Sequence, residues 1–179
     1  MSELRVALLR AVNVGGRKVV MSELRDMLAG MGLEEPRTLI ASGNAIFRSD
    51  DDPAALETAL EAAIQQRFGL FSDVIVRTPE ECAAALAAGH FQVEAKAAPA
   101  FTYVMFLKAA PDAAAVQALQ AAVEPMPERV AVSGREAYLH YPDGAGRSKL
   151  TNVVIEKKLG VRGTARNWNT VGKLAALGA

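Results

Sequence analysis

The fold is decided by the stretch RTLIASGNAIFRS, residues 37–49. Two apolar runs, near 37–41 and 45–49, flank Ser42-Gly43-Asn44, and a small polar turn between such runs predicts a β-hairpin. A second Ser-Gly pair, Ser133-Gly134, separates strands predicted near 129–132 and 136–141. The two pairs lie 91 residues apart, which matches the spacing of the two opening strands, near 4–12 and 101–108. We therefore predict that the chain contains one folding unit twice.

Helices complete each unit. In the first half, apolar spacing predicts a helix over about 22–31, and Asp52-Pro53 and Gly69 delimit a second one. Strand 73–77 follows, and Thr78 to Glu81 form a capping box. In the second half, helices are predicted over about 111–123 and 148–159. The pattern predicts an α+β fold of duplicated ferredoxin-like (βαββα) units with antiparallel sheets and a C-terminal helix.

The predicted boundaries are a first half over residues 1–91, a flexible connector over 92–100 and a second half over 101–179 with a basic C-terminal tail. About half of the 179 residues are apolar and the formal net charge is zero, which is typical of a globular protein. The first residues lack the basic region and long apolar stretch of a secretion signal, and no apolar run approaches a membrane span, so we expect neither feature. The single cysteine, Cys82, fits a reducing compartment, so we expect a cytoplasmic protein without a membrane partner.

Charge is unevenly distributed. Residues 147–173 carry seven basic residues and one acidic residue, whereas residues 49–146 carry fourteen acidic and six basic residues. Such asymmetry either steers an acidic ligand to one face or lets the tail and the middle attract each other. Both interpretations stay open. His90 and His140 lie on separate elements without metal-ligand spacing, so we expect no metal and no cofactor.

The stretch from Arg10 to Lys18 follows the first strand and contains Gly15-Gly16 between basic residues. Backbone N–H groups at such a junction favour anions. Its spacing is neither that of a P-loop nor that of a dinucleotide fingerprint, and a flexible basic turn is the alternative. Turn chemistry also accounts fully for Ser42-Gly43-Asn44.

Two further polar stretches lie in the second half. Arg147 and Lys149 are predicted at the start of the helix over 148–159, where cations oppose the helix dipole unless an anion joins them. Residues 164–170 hold the only tryptophan, Trp168, together with Arg166 and Asn167. Asn167 or Asn169 is a candidate cap for the final helix, and Trp168 a packing anchor. Arg166 has no such structural explanation from the pattern, so this stretch is predicted to serve polar recognition.

The chain resembles the bacterial family called domain of unknown function 1697, over nearly its whole length. The resemblance is carried by the stretches Leu9 to Gly16, Met21 to Arg25, Arg37-Thr38 with Ser42 to Phe47, Val76 to Thr78 and Ala165 to Val171. Ala11 stands where the family usually has Gly, and Val20 stands where it commonly has Pro. The resemblance implies a cytoplasmic bacterial protein with duplicated ferredoxin-like architecture and no settled activity. It also implies that its signature positions form one clustered site, namely Arg10, Asn13, Gly15, Gly16, Ser42, Gly43, Asn44, Arg166, Asn167 and Trp168.

Our leading expectation is a protein that binds a small anionic ligand in a cleft between the halves, with or without catalysing a reaction on it. A phosphate or carboxylate would be held by the basic residues Arg10, Lys18, Arg147, Lys149 and Arg166. Its orientation would be fixed by the amides Asn13, Asn44 and Asn167. Binding of single-stranded nucleic acid through the basic tail ranks lower, because strand 101–108 is apolar on both faces and predicts a covered sheet. A structural role, with these residues satisfying buried backbone carbonyls, is the third interpretation.

Overall fold

Two α+β units make up the chain. A computed structural model describes residues 1–40, 43–88 and 90–179. Unit 1 comprises Met1–Glu81 with Gly178–Ala179, and unit 2 comprises Cys82–Leu177. Each unit has one four-stranded antiparallel sheet. No helix in the described part of the chain has the length and apolar character needed to cross a membrane.

The elements of unit 1 alternate along the chain as strand, helix, strand, strand, helix, strand. They are β1 (Leu4–Leu9), α1 (Met21–Gly30), β2 (Glu34–Thr38), β3 (Asn44–Arg48), α2 (Pro53–Phe68) and β4 (Val74–Arg77). The sheet order is β2-β3-β1-β4. Side chains of β1, β3 and β4 pack with those of α1 and α2 in one core, which includes Leu9, Leu28, Phe47, Leu60 and Val76.

The ends of α2 confirm the sequence prediction. The Asp52 carboxylate accepts a hydrogen bond from Ala55 N (3.1 Å), and Pro53 takes the first helical position. Gly69 ends the helix in the left-handed conformation, with φ 66°. Two glutamates one turn apart on this helix reach the edge strand: Glu61 Oε1 accepts from Val74 N (3.0 Å) and Glu57 Oε1 from Val76 N (2.9 Å). The outer amides of β4 are therefore bonded within the unit.

Strand β2 begins earlier than the predicted run over 37–41. It starts at Glu34 and ends at Thr38, with a register shift between Glu34 and Arg37 in its pairing with β3. The polar, proline-containing start has no apolar alternation because β2 is an edge strand with little burial. The hairpin is closed by Leu39, whose N–H donates to Asn44 O (3.0 Å).

Unit 2 repeats the element order of unit 1 after an additional helical segment. Helix α3 (Pro79–Ala87) crosses the unit boundary, and α4 (Gln92–Ala97) and a short 3-10 helix (Pro99–Phe101) follow it. The remaining elements are β5 (Thr102–Leu107), α5 (Ala113–Val123), β6 (Arg129–Ser133), β7 (Glu136–His140), α6 (Asn152–Leu159), β8 (Gly163–Asn167) and α7 (Trp168–Ala175). The sheet order is β6-β7-β5-β8. The segment 92–100, predicted as a flexible connector, is thus mostly helical.

In unit 2, one predicted helix start is wrong and one strand was not predicted. Helix α6 starts at Asn152 rather than Ser148, because Thr151 is its cap and accepts from Val154 N (3.3 Å). Of the stretch predicted for recognition, residues 164–170, the first four residues belong to β8, which pairs with β5 through five residues, and the other three start α7. The polar composition of β8 gave no strand signal. By contrast, the capping box at the start of α3 is confirmed: Thr78 N donates to Glu81 Oε2 (2.8 Å) and Glu81 N to Thr78 Oγ1 (3.1 Å).

Both faces of β5 are buried, as its apolar composition predicts. Met105 and Leu107 belong to the core beneath α5 and α6, and Val104 and Phe106 on the opposite face have no exposed surface. On that second face, the Tyr138 hydroxyl donates to Ala85 O of α3 (2.9 Å). Burial, together with the charge of Glu136, raises the pKa of Tyr138 to about 12.

Candidate functional site

The loop after β1 forms a tight turn at the tip of unit 1. Asn13 N donates to Arg17 O (2.5 Å) and Arg17 N to Val14 O (3.0 Å), so that residues 14–17 make a small hairpin. Gly15 and Gly16 have φ 57° and 81°. No atom lies within 4 Å of a Cβ built at either glycine, so the backbone angles rather than crowding require glycine here.

Two polar side chains hold this loop together. The Arg17 guanidinium donates through Nε to Ala11 O (2.8 Å) and through Nη2 to Phe71 O. The Asn13 Oδ1 accepts from Val19 N (2.9 Å). Lys18 is exposed and makes no ion pair with any residue that the structure describes. The charge of Lys18 is therefore available to solvent or to a ligand.

The hairpin turn between β2 and β3 contacts the end of β1. Gly43 O accepts from Leu9 N (2.8 Å). Asn44 is fully buried and its Nδ2 donates to Leu39 O (2.8 Å), so it closes the turn. Ser42, which the sequence placed in the site, lies outside the described residues.

The segment before β4 completes this end of the sheet. Arg10 N donates to Asp73 O (2.9 Å), and the Ser72 hydroxyl donates to Arg10 O (2.8 Å). The loops over 10–19 and 71–73 thus meet residues 39–40 and 43–44 of the hairpin where β1 ends and β3 and β4 begin. A cavity of about 420 Å³ lies here, lined by Asn13, Gly16, Arg17 and Lys18. Of the predicted residues, the structure brings together Arg10, Asn13, Gly15, Gly16, Lys18, Gly43 and Asn44.

Backbone strain is concentrated at the same end. The described chain has five non-glycine residues with positive φ, and three of them lie here: Ala11 (54°), Asn13 (57°) and Ile40 (61°). The left-handed conformation costs an L-residue about 1–2 kcal/mol, and a β-branched residue such as Ile40 adopts it rarely. Strained residues cluster at ligand-binding sites. In the sequence, Ala11 is distinguished only as a departure from the family pattern.

Replacing Ala11 by glycine should raise the free energy of unfolding by roughly 0.5–1 kcal/mol, because glycine adopts φ 54° without steric cost. Urea denaturation at unchanged m-value measures this change. Ala29→Gly, at an exposed position of α1, is the control and should lower stability by about 1 kcal/mol. A loss of stability in Ala11→Gly of the same size would contradict the expectation.

Arg147 and Lys149 lie in unit 2, in the loop between β7 and α6. Both are exposed and line a cavity of about 540 Å³ that Glu128 and Asp143 also line. Neither basic residue forms an ion pair with a described residue. Because α6 begins only at Asn152, the predicted conflict between these cations and a helix dipole does not exist. Ser148 donates to Glu128 Oε1 (2.6 Å) and accepts from Leu150 N (3.0 Å), so it shapes the loop rather than capping the helix.

Arg166 is buried in β8, on the sheet face opposite α5 and α6. Its Nη1 donates to Thr164 Oγ1 (2.6 Å) and to Ala165 O (2.9 Å). Burial lowers the pKa of Arg166 to about 10, so the guanidinium is still charged at neutral pH. These bonds supply the structural explanation that the sequence pattern lacked. Arg166 is part of the β8 framework.

The two residues after Arg166 start the last helix. Asn167 is the last residue of β8 and its Oδ1 accepts from Thr170 N (3.0 Å), which confirms Asn167 as the cap of α7. Trp168, half-buried, is the first helical residue. Among the described residues, no group of three or more histidine, cysteine or acidic side chains is placed to hold a metal ion.

The model of the family described as protein of unknown function (DUF1697) matches residues 2–138. The chain belongs to that family. The match includes the loop end of unit 1 and stops before Arg147. A solved structure, that of the conserved bacterial protein SP0830 from Streptococcus pneumoniae, has a similar fold, with a TM-score of 0.71 at 23% sequence identity. The similarity covers 99% of this chain and 98% of that one. No curated protein matches the sequence.

Proposed function

We propose that the loop end of unit 1 binds a small ligand that carries a phosphate or carboxylate group. The observation that carries this proposal is the cavity of about 420 Å³, which Lys18 lines with an ammonium group that has no ion-pair partner among the described residues. Ligand cavities commonly have volumes of about 300–1,000 Å³. The other polar side chains of the loop, Asn13 and Arg17, hold its shape, so the loop is preorganised around the charge.

The start of α1 supports the same proposal. Helix α1 begins three residues after Lys18, and its cap residue Val20 provides no side-chain hydrogen bond to the first turn. The N–H groups at a helix start favour an anion when no side chain caps them. One acidic side chain, that of exposed Glu23, lies in this turn and competes for the same charge.

A thermal-shift titration with inorganic phosphate, pyrophosphate, nucleoside monophosphates and dicarboxylates tests the proposal. At least one of these anions should raise the melting temperature, because a ligand that binds only the folded state stabilises it. Lys18→Ala should weaken that ligand's affinity about tenfold, the loss of one charge-assisted contact worth about 1.4 kcal/mol. Arg25→Ala, at an exposed position of α1 outside the cavity, is the matched control and should bind as the wild type does. Absence of stabilisation by every anion at millimolar concentration would refute the proposal.

Binding of single-stranded nucleic acid remains the second candidate because the basic tail is accessible. Of its seven basic residues, only Arg166 is buried, whereas Arg147, Lys149, Lys157, Lys158, Arg162 and Lys173 are exposed. Affinity for a mixed oligonucleotide should then fall steeply with salt and be unaffected by Lys18→Ala. That independence from Lys18 separates the two candidates.

For the fold, we propose that each unit is ferredoxin-like and that the chain is a duplication. The two strand orders correspond element by element. Arg77 of β4 stands opposite Val6, and Arg166 of β8 stands opposite Val104, the corresponding residue of the opening strand. Both arginines are buried and both donate to the carbonyl of the preceding residue. A buried arginine at the same position of the last sheet strand of each unit is more specific evidence for duplication than the shared topology is.

A further inference from the structure

The two sheets have four edge strands, β2, β4, β6 and β8. An exposed edge is a template for another strand, and proteins commonly block it with charge, proline, bulges or covering groups. Three of these edges carry such a device. Strand β2 contains Pro36 and a register shift, and β4 has its outer amides bonded to Glu57 and Glu61. In β8, Gly163 N donates to Glu156 Oε2 (2.9 Å).

Strand β6 differs from the other three. Its sequence, RVAVS over residues 129–133, has no proline and no lysine, and its register with β7 is continuous across all five residues. Within residues 1–40, 43–88 and 90–179, no side chain forms a hydrogen bond to the backbone of β6. The outer edge of β6 is therefore free to pair with an added strand.

A groove runs beside this edge. It has a volume of about 620 Å³ and is lined by Val130 and Ala131 of β6 and by Gln117, Gln120 and Ala121 of α5. Its floor combines apolar side chains with amides, which suits alternate residues of an extended segment laid along β6. The groove gives an added strand side-chain contacts in addition to the backbone hydrogen bonds.

Two acidic side chains, Glu124 and Glu128, line the groove. Glu128 also lines the cavity that Arg147 and Lys149 line, whereas Glu124 has no ion-pair partner among the described residues. Arg129 does not neutralise them, since its guanidinium pairs with Glu94 and lies 4.8 Å from the centre of the Phe91 ring. Charge complementarity thus favours a segment with a basic side chain over an acidic one.

We propose that β6 binds an extended peptide segment of a partner protein by strand addition, with a lysine or arginine of that segment directed at Glu124. The inference lies wholly in unit 2 and is independent of the anion site of unit 1. Backbone hydrogen bonds to the β6 edge supply affinity, and Glu124 supplies the preference for a basic residue.

Fluorescent heptapeptides of alternating valine and threonine, with a central lysine or a central glutamate, serve as probes of full-length protein. The lysine peptide should bind about tenfold tighter than the glutamate peptide. Two further lysine peptides carry N-methyl groups on one or the other alternate set of amides. Since only one set faces β6 in an added strand, one methylated peptide should lose binding and the other should retain it.

Glu124→Lys should invert the preference, so that the glutamate peptide binds tighter than the lysine peptide, which a merely unfolded variant would not do. Gln117→Lys, in the same groove, is the matched control. It should change the ratio of the two peptide affinities by a smaller factor than Glu124→Lys does. Two outcomes would overturn the proposal: no binding of any probe at millimolar concentration, or equal binding of both methylated peptides.

Discussion

Gly43→Ala will lower the free energy of unfolding by on the order of 3 kcal/mol. Gly43 has φ 85°, which an L-residue adopts only at a cost. A Cβ at this position would also lie 2.5 Å from Val12 Cγ2 and 3.0 Å from Leu9 Cβ. The clash falls on buried residues at the end of β1, so relief requires the hairpin turn to move away from β1. Equilibrium denaturation in urea measures the loss.

Gly32→Ala is the matched control for this substitution. Gly32 has a similar backbone angle, φ 79°, but a Cβ there would meet no atom within 4 Å. Only the conformational cost applies, about 1 kcal/mol. If the two substitutions destabilise the protein equally, close packing of the hairpin turn against β1 is not what requires glycine at position 43.

The second large effect is expected for Arg166→Ala, which should lower the free energy of unfolding by about 2–3 kcal/mol. The substitution leaves a cavity and removes the donors to Thr164 Oγ1 and Ala165 O in a buried strand. Arg147→Ala, which removes an exposed arginine of the same unit, should change stability by less than about 0.5 kcal/mol.

Arg166→Lys separates charge from geometry. Lysine keeps the positive charge but does not reproduce the planar fork, so it should recover only part of the lost stability. An unchanged melting temperature in Arg166→Ala would contradict the structural role and would return this residue to the candidate ligand-binding residues.

The helices were readable from the sequence where local chemistry determines them. Asp52, Pro53 and Gly69 mark the ends of α2, and Thr78 with Glu81 marks the start of α3, because capping depends on residues only a few positions apart. The start of α6 was misplaced because Ser148 and Thr151 are both acceptable caps. Only the fold decides between them. In the folded protein, the Ser148 hydroxyl forms hydrogen bonds with Glu128 and with Leu150 N, and Thr151 is left to cap the helix.

Strands β2 and β8 were harder to predict for a different reason. Neither has the apolar alternation of a half-buried strand: β2 is a polar edge, and β8 contains a buried arginine. Without knowledge of the pairing partner, an arginine between a small residue and an asparagine favours the interpretation as a recognition loop. Long-range pairing with β5 makes this stretch a strand, and such pairing has no local signature.

The candidate site was predicted in part. The pattern singled out both the loop over 10–18 and the turn at Gly43-Asn44, and these meet at one end of sheet β2-β3-β1-β4. It did not reveal that the Asn13 and Asn44 side chains are bonded to the backbone of their own turns. An asparagine that shapes a turn and one that contacts a ligand look alike in a sequence, whereas hydrogen-bond geometry distinguishes them.

The junction of β8 and α7 couples the stability of two elements. Asn167 ends the strand and caps the helix with no intervening loop. Separation of β8 from β5 would therefore also remove the acceptor of Thr170 N. Backbone amides in the first turn of α7 should then exchange with solvent deuterium in the same cooperative opening as those of β8, rather than by independent fraying of the helix.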